Sequence, residues 1–206
     1  MKKIYFALPT IAAFLVFMGI WGSSSEDFSL SNTGNASEEE LLPLSGTKKI
    51  LVAYFSHSGN TREIANQIHK SVGGDIFEIQ VVKPYPNDYD AVVKQAKQEL
   101  DSGYKPALKT RIENIKSYDL VFIGYPNWWG TIPAPVRTLL SEYDFSGKTI
   151  VPFCTHEGTG LGRSVSDISK LCPKSTLLDG VAIRGRDVES TQNTVSEWLR
   201  KIKITK

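Results

Sequence analysis

Ile50-Leu51-Val52-Ala53-Tyr54-Phe55-Ser56-His57-Ser58-Gly59-Asn60-Thr61 joins an unbroken apolar run to a short loop rich in hydroxyl groups. An apolar run without polar alternation is the pattern of a strand covered on both faces, as in a parallel sheet. Immediately afterwards Ile64, Ala65, Ile68 and Val72 recur at helical spacing, and Gly73-Gly74 supplies a stop. The same strand, loop and helix unit repeats along the chain. Residues 76–82 form a second strand ahead of a helix with Tyr89, Val92, Val93, Ala96 and Leu100. Residues 120–124 precede Val136, Leu139, Leu140 and Tyr143, and residues 149–155, with Pro152 inside, precede Val165, Ile168 and Leu171. Residues 177–183 form a last strand ahead of a helix carrying Val188, Thr191, Val195, Trp198 and Ile202. Five alternations of strand and helix predict an α/β domain, a doubly wound five-stranded parallel sheet with helices on both faces.

Outside this domain the composition changes. The chain as a whole has 206 residues, 41% apolar and 22% charged, with a net charge of +2. Those values exclude a disordered, collagenous or coiled-coil chain and argue against nucleic-acid binding led by electrostatics. The small net charge is a sum over unlike pieces. Residues 1–22 hold Lys2, Lys3 and then an uncharged apolar stretch over 4–21, the layout of a signal peptide or a membrane anchor. Residues 23–47 contain five acidic groups and no Lys or Arg, and read as a flexible linker. Residues 48–206 hold 22 basic and 17 acidic groups, a net of +5. This division predicts an exported or membrane-anchored, extracytoplasmic domain with a tether through residues 4–21.

In a doubly wound sheet, ligands bind beyond the carboxyl ends of the strands. Three loops at that edge carry unusual residues. The first, Ser56-His57-Ser58-Gly59-Asn60-Thr61, gathers hydroxyls, an amide and backbone N–H groups at a helix N-terminus, which suits an anion. It lacks the lysine of a triphosphate loop, so one phosphate monoester fits it better. The same residues would also serve as a plain turn and helix cap. The second, Tyr125-Pro126-Asn127-Trp128-Trp129-Gly130-Thr131, offers an aromatic platform for a planar ring, or one core and one surface tryptophan. The third, Thr155-His156-Glu157-Gly158-Thr159-Gly160-Leu161-Gly162, lets backbone approach a ligand closely. Gly160 stands where a zinc H-E-x-x-H motif needs its second histidine. A planar heterocycle with one phosphate matches the set, and flavin mononucleotide (FMN) answers that description.

From Lys49 to about Ile204 the chain resembles the flavodoxins, in particular the short flavodoxin-like proteins whose ring loop carries Pro-x-Trp-Trp-Gly. The resemblance implies a strand order of 2-1-3-4-5 and FMN as cofactor. It implies that Ser56, His57, Ser58, Gly59, Asn60 and Thr61 surround the phosphate. Trp128 or Trp129 would cover the isoalloxazine, with Pro126, Asn127, Gly130, Thr155, His156, Glu157, Gly158 and Gly162 supplying the rest of the two ring loops. Conventional flavodoxins are strongly acidic, and residues 48–206 are not.

No protein nucleophile, triad or metal cluster is apparent, so the flavin would carry the chemistry. The expected function is electron transfer with a redox partner protein or a small-molecule acceptor. The alternative is an FMN-dependent NAD(P)H:quinone-type oxidoreductase. Cys154 and Cys172 lie at opposite ends of a strand–helix unit, too far apart for the roughly 7 Å that a disulfide spans between Cα atoms, and both read as small buried residues.

Overall fold

A computed structural model describes residues 48–205. The proposed signal or anchor segment and the acidic linker lie outside the described residues. Within them the chain alternates β1 (Ile50–Tyr54), α1 (Asn60–Val72), β2 (Asp75–Glu78), α2 (Tyr89–Ser102), β3 (Leu120–Pro126), α3 (Ala134–Glu142), β4 (Thr149–His156), α4 (Ser164–Leu171), β5 (Thr176–Leu177), β6 (Val181–Arg184) and α5 (Gln192–Lys201). The strands pair in parallel in the order β2-β1-β3-β4-β5, and β6 continues along β4. This is the doubly wound sheet expected from the apolar runs.

Because successive side chains point to opposite faces, each central strand feeds two cores. Leu51, Ala53, Val121, Ile123 and Ile150 pack under α2, α3 and α4 with Val92, Val136, Leu139 and Ile168. On the other face Val52, Tyr54, Phe122, Val151 and Phe153 meet Ile64, Ala65 and Ile68 of α1 and Val195, Trp198 and Leu199 of α5. Both faces are therefore covered, which is why these strands show no polar alternation.

The edges depart from the sequence expectation. The second strand was expected over residues 76–82, yet its ladder to β1 stops at Glu78. Beyond it Val81 pairs antiparallel with Leu108 from the segment after α2, which covers this edge. The last strand, expected as one run over 177–183, is split. Ile150 pairs with Leu177 but Phe153 pairs with Val181, so the outer strand carries one extra residue across the gap. The break lies beside Pro152, which has no N–H for a ladder, and Gly180 packs against the proline carbonyl, where a Cβ would collide. The last helix is also shorter than its apolar spacing suggests. Val188 sits on a 3₁₀ segment, Gly185–Ser190, and Thr191 turns its hydroxyl onto the Val188 carbonyl before α5 begins.

Cys154 on β4 and Cys172 at the end of α4 are both buried, free thiols. Burial pushes Cys154 up to about 12 and Cys172 up to about 11.

Candidate functional site

Parallel strands bring the loops after β1, β3 and β4 to one edge of the sheet, where a cavity of about 920 Å³ opens. Its size falls within the ~300–1,000 Å³ usual for small-molecule sites. Of the residues singled out in the sequence, His57, Ser58, Asn60, Pro126, Asn127, Trp128, Trp129, Gly130, Thr155, His156, Glu157 and Gly158 line it. Ser56, Gly59, Thr61 and Gly162 do not; Ser56 faces a smaller neighbouring cavity of about 270 Å³.

The anion end is set by how α1 starts. Gly59 occupies the cap position at φ 97, a conformation that favours glycine, and it offers no side chain to the helix. The first intrahelical bond runs from the Glu63 N–H to the Gly59 carbonyl, and because Gly59 has no side chain the N–H groups of the turn before it receive no side-chain cap. The contrast with α2 is direct, since Asp88 caps that helix by accepting from the Ala91 N–H at 2.8 Å. An uncapped N-terminus beside the Ser58 hydroxyl and the Asn60 amide is a ready anion site. Thr61 stands behind it, 1% exposed, with its Oγ1 2.8 Å from Thr155 Oγ1. A hydroxyl can donate once and accept twice, so this pairing leaves capacity at both oxygens.

The planar end is built by the loop after β3. Trp128 and Thr131 exchange backbone hydrogen bonds at 3.1 Å, with Trp129 at φ 53 and Gly130 at φ 76 between them. Two consecutive left-handed residues make a tight hairpin turn that normally uses Asn-Gly. Placing tryptophan at the first position costs roughly 1–2 kcal/mol. The two indoles then separate, as consecutive residues must. Trp128 packs edge-on against Tyr85, Phe55 and His57, with centroids 5.0, 5.5 and 6.0 Å away. Trp129 is 48% exposed, donates its indole N–H to the Val93 carbonyl at 3.1 Å, and lies under Lys97. Among the described residues the carboxamide oxygen of Asn127 is buried without a partner, while its Nδ2 donates to the Gly160 carbonyl. An unsatisfied buried acceptor beside the cavity suits a ligand N–H.

In the third loop the Gly158 N–H bonds to His156 Nδ1 at 2.9 Å. Gly162 does not face the cavity; it abuts the Gly130 carbonyl, where any Cβ would collide, and so clamps the third loop onto the second. Glu157 and Asn60 both approach Gly185, which has no side chain to obstruct them.

Sequence reasoning missed one wall. Asn87, Tyr89, Val92, Val93 and Ala96 line the cavity from the start of α2. A usable signal existed, because every helix that follows a parallel strand starts at the ligand edge. Tyr85 was missed too; it supports Trp128 and donates its phenol to the buried Glu99 carboxylate at 2.6 Å.

A family model described as Flavodoxin matches residues 49–202. Among solved structures, a candidate flavoprotein from Bacteroides eggerthii is 34% identical over 75% of this chain and 97% of its own, with a TM-score of 0.67. A similar protein from Bacteroides uniformis is 29% identical over 74% and 98%, also at 0.67. A flavoprotein from Lactobacillus acidophilus, solved in complex with FMN, is 26% identical over 72% and 99%, at 0.58. No curated protein matches the chain. With the family match running from just before β1 to just past the end of α5, the chain belongs to the flavodoxin family.

Proposed function

We propose that this protein is an FMN-binding electron-transfer protein, one of the short flavodoxin-like proteins with a Pro-x-Trp-Trp-Gly ring loop. Family membership and the FMN held by the Lactobacillus acidophilus relative support FMN as the cofactor. The observation that carries the site assignment is the uncapped N-terminus of α1 opening into the cavity between Ser58 and Asn60. The buried, unpartnered oxygen of Asn127 at the other end agrees with it.

In this reading Ser58, Asn60 and the first N–H groups of α1 hold the phosphate, with the Thr61 hydroxyl behind them. Trp128 and Trp129 frame the ring, and Asn127 Oδ1 accepts a ring N–H. Backbone from Gly130, His156, Glu157 and Gly158 lines its polar edge. The bound flavin supplies the electron chemistry. Trp128, Trp129 and the loop after β4 would orient the ring and shield it from water, and the cavity mouth would admit a redox partner protein or a small-molecule acceptor. Residues 4–21 would export or tether the domain outside the cytoplasm, which fractionation of cells can test.

One observation favours the second reading, an FMN-dependent NAD(P)H:quinone-type oxidoreductase. The α2 wall with Tyr89, Val92, Val93 and Ala96 is apolar and could shelter a small aromatic acceptor beside the ring. The deciding experiment adds FMN to the purified protein, removes the excess, records the flavin spectrum, and then measures NAD(P)H oxidation with a quinone present. Retained flavin with slow turnover supports the carrier, retained flavin with fast turnover the reductase, and loss of flavin refutes both.

A further inference from the structure

Behind the ring loop lies a polar network that contributes nothing to the cavity lining. Thr131, fully buried, donates Oγ1 to Asp167 Oδ2 at 2.5 Å. Arg137 on α3 donates Nη2 to Thr131 Oγ1 at 3.1 Å and to the same carboxylate oxygen at 3.4 Å. Arg163, the residue before α4, adds its Nε at 3.2 Å and donates its backbone N–H to the Gly130 carbonyl at 2.8 Å. Two helices thus close on a turn of four residues. Trp128, Trp129 and Gly130 line the cavity, whereas Thr131, Arg137, Arg163 and Asp167 do not.

The turn needs such a hold. Trp129 at φ 53 occupies a conformation that a bulky side chain keeps only where its surroundings over-determine it. The carboxylate at the hub is suited to the task. Burial pushes Asp167 up, but the hydrogen bonds from Thr131 and Arg163 and the charges of Arg137 and Arg163 outweigh burial and hold it below the usual carboxylate range. It therefore stays ionised and keeps its donors at neutral pH.

We propose that Asp167, acting through Thr131, is a positioning residue for the flavin ring, holding the Trp128–Thr131 turn in its binding geometry before the cofactor arrives. The inference rests on reading the cavity as the FMN site. Its signature is an effect confined to the ring end. A loosened turn weakens FMN and riboflavin alike, because both carry the ring and only FMN carries the phosphate. Loss of preorganisation, not loss of a contact, is the cause.

The test uses the full chain and three variants, Thr131→Val, Thr131→Ser and Asp167→Asn, each titrated with FMN and with riboflavin. Thr131→Val keeps the shape of the buried side chain and so preserves the test should Asp167→Asn fail to fold. Thr131→Val and Asp167→Asn are expected to weaken both flavins by the same factor, about tenfold. Thr131→Ser keeps the hydroxyl and should bind within about twofold of the native protein. The tryptophan fluorescence of the Thr131→Val apoprotein should also differ from the native apoprotein. Native-like flavin affinity in Thr131→Val and Asp167→Asn, a loss seen with FMN alone, or equal impairment of Thr131→Ser each overturns the positioning role. Should the native protein take up neither flavin, the reading of the cavity falls instead. The apoprotein fluorescence then judges the hold on the turn by itself, and an unchanged Thr131→Val spectrum overturns it.

Discussion

The hydroxyls of Thr61 and Thr155 lie 2.8 Å apart and tie the first turn of α1 to the carboxyl end of β4. The bond joins the helix that opens at one end of the cavity to the strand that launches the third loop.

If the Thr61 hydroxyl reaches the phosphate from behind the first turn, as the proposed function has it, Thr61→Val is expected to weaken FMN by about tenfold or more, since a hydrogen bond to a charged group contributes ~1.5–3 kcal/mol. Riboflavin affinity should hardly move, because riboflavin has no phosphate. Paired fluorescence titrations read this directly, and equal weakening of both flavins would refute the phosphate assignment. Thr155→Val should not add its full effect to Thr61→Val, as the two share one bond.

Gly162 and Gly103 both adopt left-handed backbone, at φ 54 and φ 66. Space is open around Gly103, whereas a Cβ on Gly162 would strike the Gly130 carbonyl. Gly103→Ala should cost about 1 kcal/mol from backbone conformation alone. Gly162→Ala should cost clearly more and should also lower FMN affinity by displacing the Trp-Trp turn. Urea unfolding of the two apoproteins compares the first effect, and flavin titration checks the second.

The Asp167 network gives a pH dependence of definite sign. A carboxyl held below its ordinary value of about 3.8 adds stability that is fully present above that value. The contribution disappears as pH falls through the lowered folded-state value. The stability gap between the native protein and Asp167→Asn should therefore be constant from neutral pH down to about 4 and close only in stronger acid. Urea midpoints across that range measure it; a gap that closes near neutrality would show that another group governs the network.

The legibility of this chain followed burial. Residues 51–55, 120–124 and 149–155 are apolar without alternation because helices cover both faces, so their strands could be read from composition alone. At the edges the deciding contacts are distant in sequence. Val81 meets Leu108 and Gly180 meets Pro152, and neither pairing leaves a local trace. The three loops were legible by their place after strands. Which residues within them face the cavity was not, since Thr61 and Gly162 carry the expected residue types yet pack behind it. The α2 wall was hidden for the opposite reason: Val92 and Ala96 read as ordinary core positions on an amphipathic helix, and they are that as well. Asp167 gave no signal, because its meaning depends on Thr131 thirty-six residues earlier.

On the proposed reading, in which the FMN phosphate sits at the start of α1, the bare glycine cap links loading to folding. A helix whose end is completed by the cofactor is stabilised by mass action, by about 1.4 kcal/mol for each tenfold rise of free FMN above its dissociation constant. The population of folded protein would then track the flavin supply, and a chain that emerges where FMN is scarce would stand closer to unfolding and proteolysis than one already loaded.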